Sequence, residues 1–255
     1  MNNELNKYPV VSIITVVFNN RDNFTKTCEC IKELVYPNLE FVVVDGGSTD
    51  GTVNTIALNS DIVSKWISEP DKGIYDAMNK GLKMATGDYV WFLNAGDQPA
   101  SGDILNKVFA SVENADVYYG DTEMIDEEGM SFGIRTLKTP PEVLTWKKMI
   151  DGMLVSHQSM IVRKSVAADY NPDYKYVADI DWTIRVLKNS RNIVNTHLTI
   201  SRFLIGGFSR KNTIKSITER YKMLCKYFNP FYVLINHFKI TFNFIVYIIK
   251  RRKLL

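Results

Sequence analysis

The sequence predicts an α/β fold, with a parallel sheet in its first half and strands of mixed direction in its second half. The first observation is that apolar runs of strand length alternate with helical patterns from residue 10 to residue 93. The second is that polar, glycine-containing turns follow these runs, and open α/β sheets bind ligands at such turns. The third is composition, because 255 residues that are 45% hydrophobic and 23% charged describe a globular chain with one substantial core.

The first predicted strand is the apolar and β-branched run at residues 10–18, which the polar residues 19–23 end. A helical pattern follows at 23–35 and stops before Pro37, because the position before a proline disfavours helix. A second apolar run at 39–44 completes a strand, helix, strand unit. Such a unit pairs its two strands in parallel.

A helix at 52–58, a strand at 62–68 and a loop at 69–73 come next. Apolar residues then recur at helical spacing from 74 to 85, and Gly87 is placed to cap that helix. Beyond residue 97 the pattern weakens, with no internal repeat and no low-complexity linker. The remaining predicted elements are an apolar strand at 88–93, strands at 117–119, 155–162 and 193–204, and helices at 141–150 and 178–188.

Charge, cysteines and the N-terminus exclude several classes of protein. A net charge of +3 is too small to indicate a nucleic-acid partner, and Lys250, Arg251, Arg252 and Lys253 concentrate positive charge at the end of the chain. The three cysteines have no metal-ligand spacing, so we expect reduced structural thiols. Residues 1–8 are polar and lack the apolar segment of a signal peptide, which predicts a cytoplasmic location.

Three acidic segments are candidates for chemistry. The segment Asp45 to Thr52 follows a predicted buried strand, and two glycines after its first aspartate permit close approach of a ligand. The turn at 94–97 delivers a carboxylate at the end of the next central strand, and residues 178–182 begin a helix with two aspartates. Each segment alone is also typical of a turn or a helix cap. No phosphate-binding loop of the Gly-Lys-Ser/Thr or Gly-x-Gly-x-x-Gly type is present.

The ordered set of motifs resembles the family 2 glycosyltransferases, which are inverting enzymes with a GT-A fold, and in particular their bacterial polysaccharide-assembly members. The resemblance spans residues 9–210. The residues that carry it are Val11-Ser12-Ile13-Ile14-Thr15, Val43-Val44-Asp45-Gly46-Gly47-Ser48-Thr49-Asp50-Gly51-Thr52, Asp71-Lys72-Gly73-Ile74-Tyr75-Asp76-Ala77-Met78-Asn79-Lys80-Gly81, Gly87 to Asp97, His157-Gln158 and Asp179-Ile180-Asp181.

The resemblance implies a nucleotide-sugar site, with uridine as the base by family habit and guanosine and thymidine left open. In the family the first aspartate accepts a hydrogen bond from the base, an aromatic ring packs on the base, and a later loop closes over the nucleotide. It also implies a Mn²⁺ or Mg²⁺ ion at Asp97, where hard oxygen ligands suit such ions. The implied donor residues are Val16, Phe18, Asp45, Gly46, Asp71, Lys72, Asn79, Asn94, Ala95 and Asp97.

The resemblance implies that Asp179 is the general base, with Asp181 as the alternative. It places His157 and Gln158 near the acceptor and Arg210 beside a phosphate, whereas a histidine hydrogen-bonded in a strand is the structural alternative. The chain departs from the family pattern at two positions. Asn94 stands where an aspartate is common, which loosens the predicted grip on a metal, and Ala178 replaces a glutamate.

The tail repeats apolar residues at intervals of three or four, which lines one helical face, while polar residues gather opposite. Its polar content argues against a span and favours an interfacial helix at the inner face of the membrane. Packing on the catalytic domain or on a dimer partner is the alternative. We therefore predict a catalytic domain at 1–228, with a nucleotide-binding half at 9–97 and an acceptor half at 98–228, and a membrane-associating tail at 229–255. The stripe consists of Phe231, Leu234, Ile235, Phe238, Phe242, Ile245, Val246 and Ile249.

The function that follows is sugar transfer from a nucleotide-diphosphate sugar to an acceptor hydroxyl, expected on a lipid-linked oligosaccharide for capsule, lipopolysaccharide or exopolysaccharide. A nucleotidyltransferase on a similar scaffold is a second reading, but residues 19–22 lack the glycine-rich basic loop that it needs. A non-catalytic sugar-nucleotide-binding subunit is the third, because Asn94 and Ala178 depart from the catalytic pattern. A homodimer is left open.

Overall fold

A computed structural model describes residues 8–206 and 213–252 of the chain, with side chains described to residue 206 and from 215 to 242. The strands are β1 Val11–Val17, β2 Leu39–Asp45, β3 Val63–Ser68, β4 Tyr89–Phe92, β5 Gln98–Pro99, β6 Val117–Ile125, β7 Ser131–Ile134, β8 Met160–Arg163 and β9 Ile193–Leu204. The helices are α1 Arg21–Lys32, α2 Thr52–Leu58, α3 Ile74–Met84, α4 Ile104–Ser111, α5 Ala178–Asn189, α6 Thr213–Leu224 and α7 Pro230–Arg252. Short 3₁₀-helices lie at Trp146–Asp151, His157–Ser159 and Lys164–Val166.

The strands form one mixed sheet in the order β3-β2-β1-β4-β8-β6-β9-β5, and β7 pairs with the outer part of β6. Strands β1 to β4 are parallel, as the alternation of strands and helices predicts. Strand β8 is antiparallel to both β4 and β6, whereas β9 is parallel to β6. The predicted GT-A class of fold, a mixed sheet flanked by helices, is confirmed.

The core lies on both faces of the sheet, because alternate side chains of a strand point to opposite faces. Ile13 and Ile14 of β1 are both fully buried, yet each belongs to a different apolar cluster. One cluster packs the sheet against α3 and α5 through Met78 and Trp182. The other cluster packs it against α1, through Phe24 among others. Helices on both faces therefore hold the strand ends in fixed positions.

The carboxyl ends of β1, β2 and β4 lie at one edge of the sheet, since these three strands run in the same direction. The segments that follow them are the turns at 18–20, 46–51 and 93–97. The antiparallel strand β8 begins at the same edge, so the 3₁₀-helix His157–Ser159 lies there as well. The sheet topology alone thus gathers the predicted site segments.

Helix α7 shows one buried and one exposed side over the residues whose side chains are described. Val233 is fully buried, and Asn236 donates a hydrogen bond to Asp151 (2.9 Å). The apolar stripe is exposed at Phe231, Leu234, Ile235, Phe238 and Phe242. Among the described helices, none is both long enough and apolar enough to span a bilayer.

Several predicted elements differ from the structure in the second half. The strand expected at 155–162 begins only at Met160, because residues 157–159 form a 3₁₀ turn. The helix expected at 141–150 is instead the 3₁₀-helix Trp146–Asp151. Helices α4 and α6 and strand β7 were not predicted.

Candidate active site

Asp45, the last residue of β2, is fully buried and engages the following turn with one of its oxygens. Its Oδ2 accepts hydrogen bonds from the backbone N–H groups of Gly47 (3.1 Å) and Ser48 (2.9 Å) and from the Ser68 hydroxyl (2.6 Å). Its Oδ1 is buried and has no hydrogen-bond partner among the described residues. A buried acceptor without a donor costs free energy, so Oδ1 is suited to a donor on a ligand.

Phe18, Gly46 and Asp71 meet beside this carboxylate. A Cβ atom added to Gly46 would lie 2.5 Å from Asp71 Oδ2 and 3.2 Å from the Phe18 ring, so a larger residue would require the Asp71 carboxylate to move. The Phe18 side chain is 61% exposed, which leaves its ring open for stacking. Asp71 accepts a hydrogen bond from the Gly73 N–H (2.8 Å). Phe18, Asp45, Gly46 and Asp71 form the candidate nucleoside pocket, which combines one exposed aromatic ring with two carboxyl groups.

The loop from 69 to 73 is held by Lys80, a residue that the sequence interpretation did not single out. Its ammonium group contacts Glu69 (2.8 Å) and donates to the Pro70 carbonyl (3.0 Å). The Lys72 side chain is exposed, and its backbone N–H donates to Asp76 (3.1 Å). Lys72 is therefore free to reach a ligand, while Lys80 fixes the loop that carries it.

Asn79 makes its hydrogen bonds to residues outside this pocket. Its amide oxygen accepts from the Tyr170 N–H (2.6 Å) and its amide nitrogen donates to the Tyr170 carbonyl (2.8 Å). Both ends of the side chain thus hold a backbone segment. A direct contact to the donor, as the resemblance implies, stays a prediction that this geometry does not favour.

The turn after β4 is built around the Asp97 carboxylate. Its Oδ2 accepts from the Asn94 N–H (3.2 Å) and from the Gln158 amide (3.1 Å), and its Oδ1 accepts from the Leu204 N–H (3.2 Å). Burial raises the pKa of Asp97 to about 7, although these three bonds act in the opposite direction. Asp97 therefore ties the turn to β9 and to the segment before β8.

The other predicted residues of this turn lie close by. The Ala95 N–H donates to the Val16 carbonyl (3.3 Å), which joins the ends of β4 and β1, and the Val16 side chain is buried in the core. Asn94 Oδ1 is buried without a hydrogen-bond partner among the described residues. The Ala95 N–H and the Val16 carbonyl thus bond each other, and contact of either residue with the donor stays a prediction.

The residues present do not fit a metal held by the protein. Asp97 is the one carboxylate in its turn, it is nearly fully buried, and both of its oxygens already accept hydrogen bonds. In the described part of the chain, no group of three or more acidic, histidine or cysteine side chains is arranged to bind an ion. We therefore derive no chemical step through a metal.

His157 and Gln158 occupy the 3₁₀-helix at the same edge and are both buried. Burial lowers the pKa of His157 to about 4, so the ring is neutral at neutral pH. Its Nε2 has no hydrogen-bond partner among the described residues. Gln158 bonds Asp97, and its carbonyl accepts from the Trp91 indole N–H (2.7 Å). His157 Nε2 is thus the fully buried polar side-chain atom of this pair that lacks a partner in the described part of the chain.

Asp179 begins α5 and is partly exposed. Burial raises its pKa to about 6, while hydrogen bonds from the Ile180 N–H (2.9 Å) and the Tyr75 hydroxyl (3.3 Å) favour the ionised form. Tyr75 stacks on Tyr170, with ring centroids 5.5 Å apart, which fixes the direction of its hydroxyl. A carboxylate with a pKa near 6 is ionised at neutral pH and is a stronger base than an ordinary aspartate.

Asp181 has a different environment. It is 2% exposed, its Oδ2 lies 2.8 Å from Arg185 Nε, and its Oδ1 accepts from the Tyr227 hydroxyl (2.7 Å). Both oxygens are thus engaged, one by Arg185 of the same helix and the other by Tyr227 of the C-terminal segment. The geometry favours Asp179 over Asp181 as a base that a substrate can reach.

The sequence did not assign a role to Tyr75, Arg135 or Lys138. The Tyr75 hydroxyl donates a hydrogen bond to Asp179, and the positive charges of Arg135 and Lys138 interact with the charge of Asp179. Tyr75 falls inside a quoted motif, but nothing in its spacing shows where its hydroxyl points. Arg135 and Lys138 follow β7, a strand that the sequence pattern did not reveal. Arg210, predicted to contact phosphate, lies outside the described residues.

The fold gathers the candidate residues at one edge of a mixed sheet, as expected of a sugar transferase with the GT-A fold. Residues 12–170 match the family model described as glycosyl transferase family 2. The chain belongs to glycosyltransferase family 2, and it is a glycosyltransferase with the GT-A fold. An uncharacterized glycosyltransferase of Mycobacterium tuberculosis is 30% identical over 183 residues, which cover 69% of this chain and 68% of that protein.

Solved structures support the fold at low sequence identity. Staphylococcus aureus TarS 1–349 in complex with UDP-GlcNAc has a TM-score of 0.66 at 19% identity, with 86% of this chain and 67% of that chain covered. The mannosyltransferase PcManGT from Pyrobaculum calidifontis, in complex with GDP-Man and Mn²⁺, has a TM-score of 0.59 at 17% identity. The match covers 62% of the mannosyltransferase chain and 85% of this chain. The chain spans 63% of TarS 1–349 as solved in another crystal.

Proposed function

We propose that this glycosyltransferase transfers a sugar from a UDP-sugar to an acceptor hydroxyl by a single displacement that inverts the anomeric carbon. The observation that carries the proposal is the bond from the Tyr75 hydroxyl to Asp179 (3.3 Å). Tyr75 lies on α3, directly after the loop that carries Asp71. That bond links the nucleoside pocket to a partly exposed carboxylate with the pKa of a general base.

In the proposed step, Asp179 takes the proton from the acceptor hydroxyl as its oxygen bonds to the anomeric carbon. The bond from that carbon to the donor's phosphate oxygen breaks, and the nucleoside diphosphate leaves with the electron pair. Asp45 and Phe18 hold the base of the donor, and Lys72 is free to approach its phosphates. Positioned donors and charges near the leaving group supply the stabilisation that this step needs.

The proposed step does not depend on a divalent ion bound by the protein. Enzymes with the GT-A fold commonly use one, and the mannosyltransferase named above was solved with Mn²⁺. Binding of Mn²⁺ or Mg²⁺ at Asp97 stays a prediction, which the hydrogen bonds of that carboxylate do not favour.

The acceptor is proposed to be a lipid-linked oligosaccharide of a cell-surface polysaccharide pathway, reached from the inner face of the membrane. The exposed apolar residues of α7 support this, because a helix with such a face buries it at a lipid interface. The basic residues 250–253 add attraction to anionic headgroups, about 1 kcal/mol for each cation near the surface. The same proposal includes a catalytic domain that ends at residue 228 and a membrane-associating tail that begins at residue 229.

Replacement of the base tests the mechanism. Asp179→Asn should bind donor normally and transfer sugar about 100 to 10,000 times more slowly, the usual effect of a positioned general base. Release of nucleoside diphosphate in the presence of acceptor gives the rate, and calorimetry gives donor affinity.

Asp181→Asn is the matched control, since its carboxylate is engaged by Arg185 and Tyr227. It should lower stability and slow transfer less. Full turnover by Asp179→Asn would reject the assignment, and a parent protein that never releases nucleoside diphosphate would favour a non-catalytic binding subunit.

A further inference from the structure

Three cationic side chains form a cluster without a role in the proposed step, and two of them, Arg135 and Lys138, interact electrostatically with Asp179. Arg135 and Lys138 follow β7, and Arg220 lies on α6. Lys138 Nζ and Arg220 Nη1 both lie within 4 Å of the position that a Cβ on Gly152 would take. Burial, with Arg220 and Arg135 adding to it, lowers the pKa of Lys138 to about 8. Two segments far apart in sequence thus bring positive charge to one place.

The hydrogen bonds of the cluster leave one cation without a partner. Arg135 donates to the Ser156 hydroxyl (3.1 Å) and to the Met153 carbonyl, and Arg220 Nε donates to His237 Nε2 (3.3 Å). Lys138 Nζ makes no hydrogen bond or ion pair with any residue in the described ranges. The Lys138 side chain is partly buried, so its ammonium group loses some hydration that a bound anion can replace.

The acidic groups nearby do not neutralise the cluster. Asp151 and Asp179 are the carboxylates whose charge reaches Lys138. Asp151 Oδ1 already accepts from Asn236 (2.9 Å) and lies 3.9 Å from Lys239 Nζ. Asp179 accepts from Tyr75 and from its own helix. Three cations, with Lys239 as a fourth at the margin, therefore face two carboxylates that have other partners.

The cluster interacts with Asp179, the proposed base, through Arg135 and Lys138. Asp179 is among the groups that act on the charges of Arg135 and Lys138, whereas the pKa of Asp97 responds to burial and to neutral donors. The cluster also touches α7, because Arg220 bonds His237 and the His237 ring meets Tyr221 edge to face at 5.6 Å. Next to His237 in sequence, Phe238 is 69% exposed. The helix that the cluster contacts thus also carries an exposed apolar face.

We propose that Arg135, Lys138 and Arg220 bind a phosphate group on the acceptor, so that the acceptor is an amphiphilic phosphate ester whose alkyl chain lies along α7. The proposal rests on the proposed sugar transfer and names the chemical class of its acceptor. Arginine supplies fixed donor pairs for phosphate oxygens, and lysine supplies a point charge. The phosphate would be held beside Asp179, which places the acceptor's sugar hydroxyl next to the base.

Binding of decyl phosphate tests this without any turnover. Calorimetry below its micelle concentration is run on full-length protein saturated with UDP, or with the nucleoside diphosphate that binds best. The parent should bind decyl phosphate and bind decanol at least tenfold more weakly. Lys138→Gln should lose at least about tenfold in affinity for decyl phosphate, and Lys138→Arg should recover most of it. The exposed Lys83→Gln, with the same change in charge, should match the parent.

The affinity for UDP shows whether the cluster binds the phosphates of the donor or the phosphate of the acceptor. The dissociation constant of UDP should be the same in the parent and in Lys138→Gln, and thermal melts should agree within a few degrees. Competition between decyl phosphate and UDP, with UDP binding weakened in Lys138→Gln, would assign the cluster to the donor and overturn the proposal. Equal binding of decyl phosphate by the parent and Lys138→Gln would also overturn it. A protein that binds decyl phosphate but no nucleotide would refute the proposed sugar transfer alone.

Discussion

The substitution Asp45→Asn separates the two oxygens of this carboxylate. An asparagine can keep its carbonyl oxygen toward Gly47, Ser48 and Ser68, which all donate to Oδ2. Its NH₂ group then takes the place of Oδ1, the buried atom without a partner. A donor on the base would meet a second donor there, so the ligand should lose a hydrogen bond to a charged group. The scaffold of the turn should remain.

The expected loss is about 1.5 to 3 kcal/mol, or roughly 10- to 100-fold in affinity for nucleoside diphosphate. Calorimetry measures this affinity, and denaturant unfolding should show a change in stability below about 1 kcal/mol. Ser68→Ala is the matched control, because it removes one bond to Oδ2 (2.6 Å) and leaves Oδ1 unchanged. It should cost about 1 kcal/mol of stability with little change in affinity. Equal nucleotide affinity for Asp45→Asn and the parent would refute the pocket.

Two further predictions concern Asp97 and α7. Asp97→Asn should lower the free energy of unfolding by about 1 to 3 kcal/mol, because an NH₂ group would face a backbone donor. Calorimetry of the donor with and without MnCl₂ should show the parent's metal dependence, whereas its selective loss would make Asp97 a metal ligand. The double substitution Phe238→Asp and Phe242→Asp should weaken binding to anionic vesicles at least about tenfold in flotation. Burial of each phenylalanine side chain contributes about 1.5 to 3 kcal/mol of binding free energy. Leu58→Asp, an exposed apolar residue on α2, should float like the parent, and equal flotation of the α7 variant would show that this face binds no lipid.

The first half of the fold was predictable because its signals are local. Strand β2 and helices α2 and α3 fall within one residue of their predicted limits, since each is a run with a clear period and polar ends. The segment at 141–159 misled the pattern, because it packs as short 3₁₀ turns. Trp146–Asp151 packs against α5 and α7, whereas His157–Ser159 packs against β9 and β6. Tertiary contacts decided those turns, and no local period reports them.

The position of the site was also predictable from the sequence, whereas the partners of its side chains were not. The motif order predicts that Asp45, Asp71 and Asp97 gather at one edge, because parallel strands end together. It does not show which polar groups are already engaged within the protein. Asn79 and Gln158 look like ligand-binding residues in sequence, yet they bond Tyr170 and Asp97. Side-chain partners of this kind depend on segments 60 to 90 residues away, which a single sequence does not pair.

The pH dependence of turnover tests the central claim that Asp179 is the base. Burial raises the pKa of Asp179 to about 6, so the ionised form that accepts a proton is lost as pH falls through that value. The rate of nucleoside diphosphate release at saturating donor and acceptor, measured from pH 5 to pH 9, should rise about tenfold per unit below pH 6 and level off above it. In Lys138→Gln the acid limb should move to higher pH, because Lys138 favours the ionised carboxylate. A turnover rate that stays constant from pH 5 to pH 8, with both proteins folded, would contradict the account.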